Sequence, residues 1–162
     1  MPGLCYGRLD LDVAPCAKSE IAAAIKSAKP CTKIVSSPAK RAMALAKPLA
    51  DALNVEITED ERLWEMDMGA WEGQLWNEID RKESDPWSLD PMRLAPPGGE
   101  TFNQVIERVS KAVDDAGEEA TIVAHAGPIR AVMMMRRGIS FDEAFATKIP
   151  FAQPLHIPAR AV

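Results

Sequence analysis

Histidine is scarce in this chain, whose 162 residues contain only His125 and His156. Imidazole chemistry therefore has almost no choice of residue. Cysteine is nearly as scarce: Cys5, Cys16 and Cys31 form an odd set without the spacings of a metal site or a disulfide framework. That set fits a reducing, cytoplasmic setting. No apolar run approaches the ~20 residues needed to cross a bilayer, so no membrane association is expected. The start, Met1-Pro2-Gly3-Leu4-Cys5-Tyr6, has neither a basic stretch nor an apolar h-region and does not read as a secretory signal. A net charge of −5 argues against general nucleic-acid binding, which needs a basic face. No G-x-S-x-G elbow surrounds Ser36 and Ser37, so a serine nucleophile of that type is not indicated. No internal repeat, metal-ligand set or cofactor-binding motif stands out.

What remains is an ordinary globular composition, 47% hydrophobic and 27% charged, of a length that fits one domain over residues 1–162. The elements alternate. Ser19 is placed to cap a helix over Glu20–Ala28, and Thr32–Val35 reads as a strand. A helix over Ala39–Leu53 comes next, with Pro48 expected to bend or restart it, then a strand at Val55–Thr58. Thr101 and Gln104 form a capping box, after which Phe102, Val105, Ile106, Val109 and Val113 recur at helical spacing. Thr121–Ala124 is a β-branched run suited to a buried strand, with a helix expected over Pro128–Arg136. Ser140 and Glu143 open a short helix, and Leu155–Ile157 reads as a last short strand. This order indicates an α/β fold with a mainly parallel sheet. Between Arg62 and Glu100 the pattern breaks: all four tryptophans, Trp64, Trp71, Trp76 and Trp87, lie there, with a helix expected over Glu72–Lys82. Such a stretch is a binding loop or an excursion pinned by tryptophan packing, and the sequence does not choose between them.

The chemistry concentrates at two strand ends. In Thr121-Ile122-Val123-Ala124-His125-Ala126-Gly127-Pro128-Ile129-Arg130, His125 stands where a strand runs into a helix start, a geometry that favours anions. Ser36-Ser37-Pro38-Ala39-Lys40-Arg41 repeats that geometry and places Arg41 in a first helical turn, its planar fork suited to phosphate. Alone, Arg41 reads as a solvated helix residue and His125 as a packed one. Together they indicate one oxyanion site. A carboxylic acid beside it could protonate a leaving alkoxide, and Glu65, Asp67 and Glu72 compete for that role on chemistry alone. His156, in a proline-dotted tail, reads as incidental.

Taken in order, Cys5-Tyr6-Gly7-Arg8-Leu9-Asp10, Ser36-Ser37-Pro38 with Arg41, Glu65 with Gly69-Ala70-Trp71-Glu72-Gly73, Pro97-Gly98-Gly99-Glu100 and His125-Ala126-Gly127-Pro128-Ile129-Arg130 resemble the histidine phosphatase, or phosphoglycerate mutase-like, superfamily. The Cys-Tyr-Gly, Trp-Glu-Gly and Pro-Gly-Gly-Glu segments resemble its α-ribazole phosphatase branch. The resemblance implies a three-layer α/β fold, helices flanking a mostly parallel sheet, and phosphomonoester hydrolysis through a phosphohistidine. It implies that Arg41 and His125 bind the phosphoryl group and that Glu65 is the proton donor. A phosphorylated small molecule or inorganic phosphate is the implied partner. Metal and cofactor are not.

The resemblance also marks a departure. The family's Arg-His-Gly motif, on its first, central strand, has no counterpart before Cys5-Tyr6-Gly7, so the domain is expected to be N-terminally truncated relative to the family. The sheet is then expected to have a gap between the strands ending at Ser36 and before His125. Three readings are compatible with this: an enzyme whose natural start lies upstream, a non-catalytic phosphate-binding module, and a homodimer joined through the open sheet. Little or no phosphatase turnover is expected from the chain as it stands.

Overall fold

The computed structural model describes residues 3–158. Three strands, β1 (Lys33–Ser36), β2 (Glu56–Glu59) and β3 (Ala120–Val123), form one parallel sheet in the order β2-β1-β3. Six helices accompany it: α1 (Ala17–Ser27), α2 (Lys40–Leu53), α3 (Arg81–Leu89), α4 (Phe102–Ala116), α5 (Ala126–Arg137) and α6 (Phe141–Ala146). Alternation along β1 builds the layers, because successive side chains point to opposite faces. Ile34 packs with Ala42, Met43, Ala46 and Leu49 of α2. Val35 packs with Ala112 and Ala116 of α4. The sheet thus lies between helices, as an α/β reading requires.

Several local expectations needed correction. α1 begins at Ala17, and Ser19 donates to the Cys16 carbonyl (2.9 Å) instead of capping a helix that starts at Glu20. Pro48 neither ends nor restarts α2; the apolar face through Ala46, Leu49 and Ala50 carries the helix past the lost N–H. Leu155–Ile157 forms no strand, for the tail makes no ladder and Pro154 and Pro158 lack amide donors beside it. The capping boxes at Thr101 and Ser140 both form and open α4 and α6.

The sheet has no gap between the strands that end at Ser36 and before His125. β1 and β3 pair directly, Lys33 with Ala120 through Ser36 with Val123, and the Ser37 N–H continues the ladder to the Val123 carbonyl (2.9 Å). Direct pairing leaves no slot between them. β2 is one outer strand of the sheet and β3 is the other, with a far side that bonds no strand among the described residues. That far side faces a groove of about 750 Å³ lined by Leu63, Val109, Ile122, Val132 and the tail residues Leu155 and Ile157.

The tryptophan-rich stretch is also rearranged. Glu72–Lys82 is not a helix; a single 3-10 turn at Gly69–Trp71 precedes it, and α3 starts at Arg81 behind the Asp80 cap. Two observations explain this. Gly73 takes the left-handed φ of 79°, which breaks a helix. The backbone here also pairs with the N-terminal segment, since Cys5 exchanges bonds with Gln74 and Gly73 (both 2.8 Å) and Leu4 bridges Leu75. Trp71 is buried edge-on against Trp87 (5.4 Å) and Trp76 (6.3 Å), which pins the excursion to the core. Trp64 stands apart from that cluster. No helix among the described residues is long and apolar enough to cross a membrane.

Candidate functional site

Parallel pairing of β1 with β3 puts their carboxyl ends side by side, so the segments leaving the two strands must meet. After β1 come Ser36, Ser37 and the first turn of α2 with Arg41; after β3 comes His125, the residue that caps α5. Arg41 Nε lies 3.2 Å from His125 Nδ1. The guanidinium Nε always donates, so Nδ1 must accept and the imidazole proton resides on Nε2. From there it donates to the fully buried Ser37 Oγ at 2.8 Å. Ser37 Oγ also accepts the Ala39 N–H (3.3 Å), which fixes the hydroxyl at the start of α2.

His125 is neutral. Burial, then the nearby Arg41, Arg108 and Arg8 cations, push its pKa down to about 3. Trp64 stacks nearly parallel on the imidazole, with centroids 6.2 Å apart and planes 11° apart. The Arg41 guanidinium sits 5.9 Å from the Trp64 centroid and 5.6 Å from that of Tyr6. Two further Arg41 donors reach backbone carbonyls, Gly7 at 2.6 Å and Leu9 at 2.9 Å. Two of its five N–H groups thus have no partner among the described residues.

The three candidate carboxylates separate by what they hold. Glu65 lies at the α5 start: Oε2 accepts the Gly127 N–H (3.1 Å) and Oε1 the Met66 N–H (2.9 Å), two residues along from His125. A Cβ on Gly127 would collide with Glu65 Oε1. Gly127→Ala is therefore expected to swing that flexible carboxylate off the Gly127 N–H, a loss that the better helix propensity of alanine largely offsets, so urea unfolding should change by less than about 1 kcal/mol. A destabilisation above about 2 kcal/mol would show that the Glu65 carboxylate cannot move aside. Asp67 closes its own turn, Oδ1 accepting the Gly69 N–H at 2.8 Å. Glu72 grips the N-terminal segment, accepting the N–H groups of Gly7, Arg8, Leu9 and Met68. Burial alone would raise the Glu72 pKa, but those amides outweigh it and hold the carboxyl below its usual range.

Glu100 and Arg108 form the outer wall. Arg108 donates to both Glu100 oxygens (3.0 and 2.7 Å) and to the carbonyls of Arg62, Trp64 and Glu65, anchoring the loop that carries Trp64 and Glu65. Asp10 accepts the Lys40 N–H (2.8 Å) at the start of α2, and Arg130 ties α5 to α6 through the Ala144 carbonyl (3.2 Å). His156 is elsewhere, its carbonyl bonded to Arg137 in the tail. Sequence reasoning missed Trp64, Ser37, Arg8 and Arg108 as neighbours of His125. Ser37 carried a signal, since it follows a strand beside the one that precedes His125. Arg108 carried none, because its place on an amphipathic helix reads as solvated surface. Among the described residues no cluster of three or more His, Cys, Asp or Glu side chains could hold a metal.

This arrangement offers a neutral imidazole N–H, a guanidinium with free donors and an adjacent carboxyl group. Together they suit an oxyanion that bears a protonatable leaving group. Comparison with known proteins points the same way. The family model for the histidine phosphatase superfamily (branch 1) matches residues 3–156. A bifunctional protein of Mycobacterium tuberculosis is 36% identical over 112 residues, covering 63% of this chain and 30% of that protein. Phosphoserine phosphatase 1 of Hydrogenobacter thermophilus is 29% identical over 118 residues, covering 68% of this chain and 56% of its own length. The chain thus spans 30–56% of these relatives. Among solved structures, a mycobacterial glucosyl-3-phosphoglycerate phosphatase in complex with inorganic phosphate superposes with a TM-score of 0.75 at 25% identity, covering 89% of this chain and 78% of that one.

Proposed function

Since the chain belongs to the histidine phosphatase superfamily, branch 1, we propose that its His125–Arg41 site binds the phosphoryl group of a phosphomonoester, or orthophosphate itself. Arg41 offers its two unbonded N–H groups to phosphoryl oxygens, and His125 turns its Nε2–H from Ser37 to a third. Glu65 lies beside that site and is the carboxyl group that would protonate a leaving alkoxide if a nucleophile attacked the bound phosphoryl group. Inorganic phosphate in the structurally similar mycobacterial phosphatase supports this choice of ligand. Kinship to the α-ribazole phosphatase branch rests on Cys5-Tyr6-Gly7, Trp71-Glu72-Gly73 and Pro97-Gly98-Gly99-Glu100 alone.

The bond from Arg41 to His125 carries the proposal further. An imidazole attacks phosphorus through a lone pair, yet here Nδ1 is occupied by Arg41 and Nε2 bears the proton. His125 in this state stabilises a phosphoryl group and does not attack it. The polypeptide of residues 1–162 is therefore a phosphate binder with little turnover of its own. Isothermal calorimetry with orthophosphate is expected to show binding that Arg41→Gln weakens at least tenfold. Hydrolysis of p-nitrophenyl phosphate is expected at background and unchanged by His125→Ala. Robust turnover that His125→Ala abolishes would overturn the binding-only reading.

The unpaired edge of β3 favours a second reading, pairing of two copies along that edge. A chain that sediments as a monomer at high concentration removes it.

A further inference from the structure

Both ring nitrogens of His125 are taken by groups of the protein itself. Arg41 Nε donates to Nδ1 (3.2 Å), and the Nε2–H donates to Ser37 Oγ (2.8 Å). The imidazole is part-buried, whereas Ser37 is sealed from solvent. An anion therefore reaches the ring but not the hydroxyl behind it. A phosphoryl oxygen that accepts the Nε2–H must take it away from Ser37.

Ser37 cannot follow the ring. Its own N–H donates to the Val123 carbonyl (2.9 Å), and its carbonyl accepts the Ser36 hydroxyl (2.9 Å). Pro38, with its fixed φ, stiffens the next link. The Ala39 N–H donates to Ser37 Oγ (3.3 Å), so the hydroxyl keeps one partner when the imidazole leaves. Turning the ring about its Cβ–Cγ bond also parts Nδ1 from Arg41 Nε. The two lost bonds are not equivalent. The Arg41 N–H finds a phosphoryl oxygen in exchange, while the Ser37 oxygen, out of reach of the ligand, finds no replacement for the imidazole.

We propose that Ser37 is an internal competitor for the phosphoryl group: its buried hydroxyl holds the His125 Nε2–H, and phosphate binds only by breaking that bond. This rests on the phosphoryl-binding role of Arg41 and His125 and adds to it a residue that weakens their hold. Ser37 acts through His125 and touches no ligand, which makes it a positioning residue. The bond re-forms as the anion departs, so it also favours release of orthophosphate. One hydrogen bond between neutral groups corresponds to about three- to tenfold in affinity.

The test is calorimetry with orthophosphate on the whole chain. Ser37→Ala is expected to bind about three- to tenfold more tightly than wild type, yet to unfold at lower urea because the Ala39 N–H loses its acceptor. A serine with only a structural role would lower affinity and stability together. Ser37→Cys, close in size but a poor acceptor, should also bind more tightly than wild type, so the outcome does not hang on one variant. NMR of the wild-type protein with 15N-labelled histidine reads the bond itself, since the chain has only two imidazoles. His125 should carry its proton on Nε2, exchange it with water more slowly than the exposed His156, and shift that resonance when orthophosphate is added. A His125 protonated on Nδ1 overturns the role of Ser37. A wild-type chain that binds orthophosphate as tightly as both variants, or more tightly, does the same and leaves the phosphoryl site standing. Binding by the variants alone bears out both the site and the competitor. Absence of binding in all three proteins overturns the phosphoryl site and the Ser37 proposal with it.

Discussion

Glu72→Ala is expected to destabilise the fold by about 3–4 kcal/mol, because one charged, part-buried carboxylate accepts four backbone N–H groups. Three of those donors, Gly7, Arg8 and Leu9, are consecutive, so their loss frees the N-terminal segment as a unit. The consequence reaches the site. The Gly7 and Leu9 carbonyls are the acceptors that hold the Arg41 guanidinium, and a released segment leaves Arg41 with its bond to His125 and its contact with the Trp64 ring. Orthophosphate affinity should fall with stability even though Glu72 touches no ligand. Glu72→Gln, which keeps one acceptor oxygen but turns an NH2 toward the other donors, should cost roughly half as much. Urea unfolding followed by tryptophan fluorescence measures both. A loss below 1 kcal/mol for Glu72→Ala would show that the amides find water without penalty.

Stability should fall as pH drops from 6.5 to 5, by about 2 kcal/mol in all, through His125. The folded pKa is about 3 and the ordinary histidine value 6.5, so the unfolded chain takes up a proton in this window and the native state does not. Unfolded protein is then favoured by each unit of acidification, at roughly 1.4 kcal/mol per pH unit once the unfolded imidazole is largely charged. The stabilisation is complete above 6.5 and continues to fade until the native group titrates near 3. Glu72 and Asp60, whose carboxyls sit below their usual range, add losses in the same direction only at more acid pH. Their contribution is present above the ordinary carboxylate pKa and disappears as pH falls through the lowered one. His125→Asn should flatten the curve between pH 6.5 and 5. Saturating orthophosphate should flatten it too, since a bound anion favours the imidazolium. A native His125 that titrates above pH 6 by NMR would remove the basis of this prediction.

The two strand-end motifs were legible because each is local. Ile34-Val35 followed by Ser36-Ser37-Pro38, and Ile122-Val123 followed by His125-Ala126-Gly127, announce a strand, a turn and a helix within about ten residues. The capping boxes at Thr101 and Ser140 were legible for the same reason, their partners being three residues apart. Glu65, Asp67 and Glu72 could not be separated in the sequence, because the donors that distinguish them lie far along the chain. Glu72 binds residues more than 60 positions away, and Glu65 reaches Gly127 across 62. The helix expected over Glu72–Lys82 failed likewise: its backbone pairs with Cys5 and Leu4, contacts that no window of periodicity contains.

Sequence alone determined the alternation of strands and helices, the ends of the strands where chemistry gathers, and the kinship that Arg41 and His125 carry. Short-range rules govern those features: side-chain periodicity, capping and the φ preferences of glycine and proline. Tertiary structure decided the rest: the direct pairing of β1 with β3, the backbone amides that tell Glu65, Asp67 and Glu72 apart, and the neutral tautomer of His125. Each depends on which distant groups reach a donor or acceptor first, and burial makes that outcome costly to reverse. A hydrogen-bond partner is a property of the folded surroundings, and only the folded chain supplies them.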